Sequence, residues 1–561
     1  MIFRRRTALL LLLAVILLSL AIRYPLVEHE RFQTDSYFIH ILSNDIVREG
    51  QASWTFNPLS YVGYYPFSYP SGAPFVLGEL SIMTGLDLEV CILLTDALLA
   101  VLFCLVIFCF AREFMHRVEL VILVAFLAVI APRFVDTTYW NGSARGMGVV
   151  LISLLMLSLL RAGFSRSNML MLYSTLIGFA CFAVHHMAVL IILFGAGFVF
   201  SVLVIRYLSK AFQSRRNRWV VTGAVIGGVI GTLVILSYFE VLGNAMEGYG
   251  ETGFFDLPDP ILSTLVNLGV SYTHQIGIVL PLAAFGVIAL LRAPRPLARA
   301  ILPLTTIIVF VPVLGSSLYV SMLLSPFVVI LGVVWLQKVR QSKRVGAGIF
   351  LMTIATVVAV SLVVTMWSVD RWNHTEQRAG DFVLVGNDVF NDAAYLQSNA
   401  QGVRAVCNGA TLNGELSAYS RTSFLGWGIE ATINGDVDSA YVNEKLTKSS
   451  TPFPGNLYTW FTYTDSGMVS RFVFVLMLDG VGITQTISDA DFHSYTANHS
   501  NLLVVVDNNW PTQYATEYGP YNARLLVEVH DSRSSVTGTE KFASYCLYSS
   551  QRSTIYMVQL P

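Results

Sequence analysis

Charged residues are scarce in this chain. Asp, Glu, Lys and Arg make up 13% of its 561 residues, whereas an average soluble domain contains about 25%. The formal net charge is −1, so no basic excess is available for nucleic acid and we expect no nucleic-acid partner. Hydrophobic residues make up 54% and occur in long runs, which predicts a polytopic α-helical membrane protein.

Several familiar catalytic and nucleotide-binding motifs are also missing. The sequence contains no P-loop, no G-x-S-x-G and no H-E-x-x-H, which excludes nucleotide hydrolysis as a power source and two common hydrolase classes. The apolar runs contain almost no charge in mid-span. Ion-coupled transporters usually need such charges, so the pattern weighs against that class.

Only six cysteines are present. Four lie in apolar runs and are expected to be small core residues: Cys91, Cys104, Cys109 and Cys181. Cys407 and Cys546 lie in the polar C-terminal region. A disulfide between these two is plausible if that region is extracytoplasmic.

The apolar runs predict about eleven transmembrane helices, at residues 7–22, 88–111, 119–132, 145–162, 169–184, 187–205, 219–239, 275–291, 300–314, 320–337 and 347–367. Basic clusters such as Arg4–Arg6 and Lys338–Arg344 alternate with poorly basic loops. Basic loops stay cytoplasmic, so the N-terminus is expected inside and the C-terminus outside. No A-x-A-like cleavage site follows the first run, which favours a retained signal anchor.

Three outer loops follow from this topology, at 23–72, 133–144 and 240–274, with an amphipathic piece at 73–84 on the outer interface. Loop 23–72 is rich in aromatics, which suit an interfacial belt or a sugar-binding surface. Loop 240–274 carries several glycines and is either a lid or a linker. Residues 1–367 are thus expected to form the membrane domain.

The composition becomes polar after the last run. Residues 368–561 are expected to form a soluble α/β or α+β domain on the outer face. Its predicted elements are a helix at Asp392–Ser398 and strands at Val403–Cys407, Phe472–Met477 and Leu502–Val506.

Asp35 is the first candidate for chemistry. It stands shortly after the first helix, where an ionisable residue beside the membrane points to function. Residues 35–47 have helical spacing, with Phe38, Ile39, Leu42 and Ile46 on one side. Asp35 would lie at the N-terminus of this helix, where it is either a functional carboxylate or an N-cap.

The loop at 133–144 with the start of the next helix is the second candidate. It places Arg133, Asp136, Tyr139 and Arg145 within 13 residues. Guanidinium groups bind phosphate oxygens in a bidentate manner, so the loop suits a phosphate. The alternative is an interfacial loop stabilised by an Asp–Arg pair.

His185 and His186 end the fifth predicted helix on the outer side. Adjacent side chains on a helix point about 100° apart, so the two rings do not easily share one metal ion. A phosphate or hydrogen-bonding role for one of them is favoured.

The chain resembles the GT-C superfamily of membrane glycosyltransferases, distantly like the oligosaccharyltransferase catalytic subunit and its uncharacterised prokaryotic relatives. The resemblance rests on Thr34-Asp35-Ser36-Tyr37 in a large first outer loop, on Arg133-Phe-Val-Asp136 in the second, and on the polar C-terminal region. The chain departs from that subunit because it lacks the Trp-Trp-Asp-Tyr-Gly motif, which puts sequon recognition in doubt.

The resemblance implies transfer of a sugar from a polyprenyl-phosphate donor, within the membrane lipid, to a protein or glycan acceptor. Asp35 would be the base and the reaction would invert the anomeric carbon. Arg133, Arg145 and His186 would hold the donor phosphate, and Asp136 would orient the acceptor. Whether a divalent metal takes part is open at this stage; if Mg or Mn is bound, Asp35 and Asp136 would be its ligands.

Three other functions are open at this stage. One is an oligosaccharyltransferase proper, acting on Asn-x-Ser/Thr peptides. Another is a lipid or polysaccharide exporter, whose expected internal repeats and mid-membrane charges are not seen. The third is a non-catalytic surface protein, although eleven helices exceed what an anchor requires.

Overall fold

The computed structural model describes residues 5–26, 29–30, 34–50, 52, 70–115, 117–165, 167–185, 188, 273, 275–291, 317–341, 346–374, 385–400, 403, 405–407, 410–420, 422, 471–478, 481–488, 501–507, 524–531, 534–541 and 544–559. The predicted spans 187–205, 219–239 and 300–314, and nearly all of the predicted lid 240–274, lie outside these residues.

Helices are the regular secondary structure of the described residues up to 374. They are α1 Arg5–Ile22, α2 Thr34–Glu49, α3 Gly72–Thr84, α4 Leu88–Arg112, α5 Val118–Val129, α6 Pro132–Asp136, α7 Ala144–Ser165, α8 Asn168–Val184, α9 Val279–Leu291, α10 Ser317–Gln341 and α11 Ala347–His374. Eight predicted spans fall on α1, α4, α5 and α7–α11. Long apolar runs form helices because a helix satisfies every backbone polar group without water.

Within the described part of the chain, three helical stretches are long and apolar enough to cross a bilayer: 88–112, 144–162 and 347–370. Shorter apolar helices lie at 6–22, 118–129 and 168–184. Apolar side chains on α1 and α4 also point outwards, Leu9 and Leu98 among them. Such a surface is unfavourable in water and favourable in lipid, so this is an integral membrane protein.

Helix α5 lies at the centre of the bundle. Every residue from Leu120 to Val129 is buried, and these side chains join α4, α7 and α10 in the main apolar core. The predicted span 119–132 is wrong at its end, because α5 stops at Val129 and Pro132 begins α6. Proline favours the first position of a new helix and disfavours the interior of one.

The second predicted outer loop therefore begins with a short helix. Arg133 and Asp136 lie on α6, and only residues 137–143 connect it to α7. The prediction of a continuous loop at 133–144 is therefore wrong in its first turn.

The helix predicted at 35–47 is confirmed as α2. Ile39, Leu42 and Ile46 are completely buried, as the spacing predicts, while the side chain of Phe38 lies outside the described residues. The piece predicted at 73–84 is α3, which packs against α2 and α4.

The C-terminal region, residues 385–559, contains helices and strands. They are α12 Asn387–Asn399, β1 Ala405–Cys407, α13 Ala410–Ser420, β2 Arg471–Leu478, β3 Val481–Ser488, β4 Asn501–Asp507, β5 Arg524–Asp531, β6 Ser534–Lys541, β7 Ser544–Ser549 and β8 Ser553–Gln559. One sheet has the order β1-β4-β8-β7 and the other β3-β2-β5-β6. Only the β1–β4 pair is parallel among the described strands.

The disulfide considered between Cys407 and Cys546 is wrong. Both cysteines are free, Cys407 buried and Cys546 exposed. They lie on β1 and β7, which the sheet order separates by two strands. At about 4.8 Å per strand this places them roughly 14 Å apart, beyond the reach of a disulfide.

Candidate functional site

The start of α2 lies against the connection between α6 and α7. The Ser36 hydroxyl donates a hydrogen bond to the side-chain oxygen of Asn141, and both residues are buried. Asp35, the residue before Ser36, is the second residue of α2, and its side chain lies outside the described residues. The backbone that carries Asp35 is thus next to the second predicted motif, although the two are about 100 residues apart in sequence.

The connection at 137–143 is fixed by two contacts with α4. The backbone N–H of Asn141 donates to Asp96 Oδ2 at 2.8 Å, and the indole of Trp140 donates to the carbonyl of Glu89 at 3.0 Å. Trp140 has a φ of 49°, a left-handed conformation that is costly for a bulky residue. Such strain persists only where surrounding contacts impose it, and it concentrates at functional sites.

Arg133 and Asp136 form an ion pair one helical turn apart, and Asp136 is 4% exposed. Tyr139 is completely buried and its hydroxyl donates to the carbonyl of Tyr24 at 3.4 Å. The Asp–Arg pair of the alternative interpretation is therefore present. Contacts of these three residues with a substrate stay a prediction.

Arg145 and His185 border the same region. Arg145 is the second residue of α7 and is half-buried. His185 directly follows α8 and is buried. The neighbouring Val184 belongs to one apolar cluster with Ile39 and Trp140, so the three predicted groups converge. His186 lies outside the described residues.

Arg23, which directly follows α1 and is not among the predicted site residues, is buried. Its Nε donates to Thr138 Oγ1 at 2.8 Å and its Nη2 to the carbonyl of Val129 at 3.1 Å. Its Nη1 donates to Ser19 Oγ at 2.8 Å, and the guanidinium stacks 5.1 Å from the ring centroid of Phe134. A basic residue directly after an apolar helix was the only available signal.

A second group that sequence reasoning missed surrounds Glu30. Its Oε1 accepts hydrogen bonds from His40 Nδ1 and from the Tyr419 hydroxyl. Its amide donates to Glu89 Oε1 at 2.6 Å, and His29 Nδ1 lies 3.4 Å from that oxygen. The acidic and histidine residues before α2 offered a weak signal. Nothing in the sequence pointed to Tyr419, which comes from the C-terminal region.

A metal site is not evident among these side chains. The described residues contain no group of three or more His, Cys, Asp or Glu side chains that could hold a metal ion. Of the two predicted ligands, Asp136 is engaged by Arg133.

No protein-family model and no curated protein matches the chain. Among solved structures, ArnT from Cupriavidus metallidurans in the apo state matches with TM-score 0.52 and 13% identity, covering 98% of this chain and 97% of that one. The same protein bound to undecaprenyl phosphate gives 0.50 and 14%, covering 99% and 98%. The Archaeoglobus fulgidus oligosaccharyltransferase, tethered to an acceptor peptide with an NVT sequon, gives 0.50 and 11%, covering 87% and 74%. The chain therefore has the fold of the GT-C membrane glycosyltransferases.

Proposed function

We propose that this protein is a membrane glycosyltransferase that moves a sugar from a polyprenyl-phosphate donor to an acceptor on the extracytoplasmic face. The observation that carries the proposal is the contact between Ser36 and Asn141. It joins the helix that carries Asp35 to the second motif, within a fold shared with ArnT, which has been solved bound to undecaprenyl phosphate. The acceptor is a protein or a glycan.

The proposed reaction is a single displacement. A hydroxyl or amide of the acceptor attacks the anomeric carbon from the side opposite the phosphate, and inverts it. The bond from that carbon to the phosphate oxygen breaks, and its electron pair leaves with the lipid phosphate. Asp35 takes the proton from the acceptor, a role worth about 10²–10⁴-fold in rate.

The leaving phosphate needs positive charge nearby. Arg145 suits this role because it stands in the first turn of α7, where the helix dipole also favours an anion. Arg133 and either His185 or His186 also bind the leaving phosphate, although Arg133 is paired with Asp136 as well. Asp136 orients the acceptor.

A divalent metal is not required by this scheme. Mg or Mn held by Asp35 and Asp136 would supply further positive charge for the leaving phosphate. Asp136 is already paired with Arg133, so no step is assigned to a metal, and chelator treatment tests its role.

The test is transfer of label from a radiolabelled polyprenyl-phosphate sugar pool in membranes that contain the wild type or Asp35→Asn. The variant removes the proposed base with little change in shape, and we expect transfer to fall at least about 100-fold. The matched control is Asp45→Asn, because Asp45 lies on the same helix but pairs with Arg48 instead.

Transfer at the wild-type rate by Asp35→Asn would remove Asp35 from the mechanism. Label that enters an Asn-x-Ser/Thr peptide would instead identify an oligosaccharyltransferase. A folded wild type that transfers label from no donor would overturn the proposal in favour of export or binding.

A further inference from the structure

Glu30 is a completely buried carboxylate between α1 and α2. The hydroxyl of Tyr419 donates to its Oε1 at 2.8 Å, and His40 Nδ1 is bonded to the same oxygen. His40 is only 3% exposed, and its ring lies edge-on to that of Tyr419 with centroids 5.1 Å apart. Two donors from different parts of the chain therefore converge on one carboxylate oxygen.

The three residues tie the C-terminal region to α2. Tyr419 belongs to α13, while His40 lies on α2 about one and a half turns after Asp35. A second contact follows on the same helix, where Asn44 Nδ2 donates to the carbonyl of Ala418 at 2.6 Å. Helix α2 is thus held from α13 at two successive places.

The segment before α2 is attached to α12 as well. The ring of His29 stacks on Phe390 with centroids 3.5 Å apart, and His29 Nε2 lies 3.1 Å from Asn387 Oδ1. The amide of Glu30 is bonded to Glu89 at the start of α4. His29 and Glu30, which precede α2, are therefore held by α12 on one side and by α4 on the other.

Tyr419 remains a hydrogen-bond donor throughout the working range of pH. Its burial, together with the nearby carboxylates of Glu30 and Glu89, raises its pKa well above the ordinary value. An ionised phenol beside a buried carboxylate would be strongly disfavoured. The phenol of Tyr419 therefore stays protonated and able to donate to Glu30 at neutral pH.

We infer that Glu30, His40 and Tyr419 are positioning residues, through which the C-terminal region sets the first turn of α2 and with it Asp35. The inference rests on the proposed function. Contacts hold the start of α2 on two sides, Ser36 with Asn141 in its first turn and His40 with Glu30 in its second. A displacement of about 1 Å in a reacting group can cost about 100-fold in rate, so loosening α2 is expected to lower turnover.

The test uses Tyr419→Phe in the full-length protein, which removes one hydroxyl and keeps the ring. We expect the maximal rate of transfer from the labelled polyprenyl-phosphate sugar pool to fall about 10-fold or more. The half-saturating donor concentration should change less than about twofold, because no proposed phosphate contact is touched. Tyr395→Phe is the matched control, since its hydroxyl contacts only the Leu547 carbonyl, at 3.4 Å, among the bonds described.

A second pair of variants separates positioning from folding. Glu30→Gln keeps a carbonyl oxygen for Tyr419 and His40, so it should retain more activity than Glu30→Ala, which removes the acceptor that these two donors share. Equal activity of these two variants would overturn the role of Glu30 as an acceptor.

Hydrogen exchange of α2 amides gives a readout that needs no activity. Tyr419→Phe should speed exchange at residues 36–42 while that of α7 stays unchanged, and Tyr395→Phe should alter neither. Unchanged exchange in α2, or faster exchange throughout the protein, would overturn the inference. If the wild type transfers no sugar, the proposed function fails, and the exchange data still decide whether Tyr419 holds α2.

Discussion

A single guanidinium, that of Arg23, joins separate parts of the bundle. It contacts the end of α1 through Ser19, the end of α5 through Val129 and the α6–α7 connection through Thr138. The guanidinium group is planar and its N–H donors point in fixed directions, so it can bind the three acceptors that surround it. Arg23 thereby supports the connection that carries Asn141.

Replacing Arg23 by Lys should therefore be costly although the charge is kept. One ammonium nitrogen cannot occupy the positions of Nε, Nη1 and Nη2, so at least two hydrogen bonds are lost. We expect a loss of about 1.5–3 kcal/mol in the free energy of unfolding, measured by denaturation in detergent. Arg48→Lys is the control, since Arg48 is half-exposed and binds Asp45 and Glu49, and it should change stability by less than about 0.5 kcal/mol. Equal effects would contradict the role of Arg23.

Asp392 makes stability of the C-terminal region depend on pH. Burial raises its pKa, and hydrogen bonds from Ser553 and Ser550 offset this only in part. The charged form is disfavoured in the folded state. Stability is therefore greatest when Asp392 is protonated, and it decreases as pH rises from the unfolded pKa of about 3.9 towards the raised folded pKa.

The variant Asp392→Asn carries no such titration. We compare the free energy of opening of the β8 amides in this variant and in the wild type. The variant should have the larger value, and the difference should grow from pH 4 to pH 7. Hydrogen exchange in the full-length protein measures it, with rates corrected for intrinsic pH dependence. A constant difference across this range would show that the charge of Asp392 is not destabilising.

Residue roles could be predicted only where local sequence reveals them. Asp35 stands in an apolar periodic stretch, so its place at the start of a helix could be read directly. Glu30 and Tyr419 are 389 residues apart, and a contact across that separation leaves no periodic pattern. The burial of Asp136 could not be predicted either. The same residue types suit both an Asp–Arg pair on a short helix and a phosphate-binding loop.

Small residues govern how α9 and α10 pack. A Cβ on Gly286 would lie 2.6 Å from the carbonyl carbon of Leu331, and one on Gly332 would lie 3.1 Å from the carbonyl oxygen of Val279. These are backbone atoms, which cannot rotate away. Membrane helices commonly associate through close packing at small residues, because in lipid the hydrophobic effect contributes little to helix association.

Gly286→Ala should therefore separate α9 from α10 and destabilise the protein, by about 1–3 kcal/mol or more. The control is Gly178→Ala on α8, where nothing lies within 4 Å of the added carbon. Alanine favours helix there by up to about 1 kcal/mol. Thermal denaturation in detergent should move in opposite directions for the two variants. A shift of the same sign and size would contradict this packing.

Elements were predicted best where long apolar runs dominate, as for α4 and α11. The failure at α5 has a local cause, since hydrophobicity continues through Ile130 and Ala131 while Pro132 starts a new helix. The arrangement of the strands into sheets was harder to predict from the sequence. Single strands such as β2 and β4 follow from alternation, but partners such as β1 and β4 are chosen by tertiary packing.

At the scale of the whole molecule, contacts around Glu30 place the end of α1 beside the C-terminal region. Asn387 and Tyr419 contact His29 and Glu30, which lie between α1 and α2. Both parts therefore lie on one side of the membrane, and only two orientations of the molecule remain. The basic clusters favour the orientation in which this side faces outwards.

Cysteine labelling distinguishes the two orientations. Cys546 is exposed on β7, and Cys407 is buried. A membrane-impermeant maleimide added to intact cells should label the wild type at Cys546. In a Cys546→Ser background, Gly346→Cys should react only after permeabilisation, because Gly346 is exposed just after the basic residues Lys343 and Arg344. The opposite pattern would place Asp35 in the cytoplasm, since the contacts around Glu30 bind its helix to the same side as Cys546. The fold would then stand, and the proposed donor would have to be one presented on the inner leaflet.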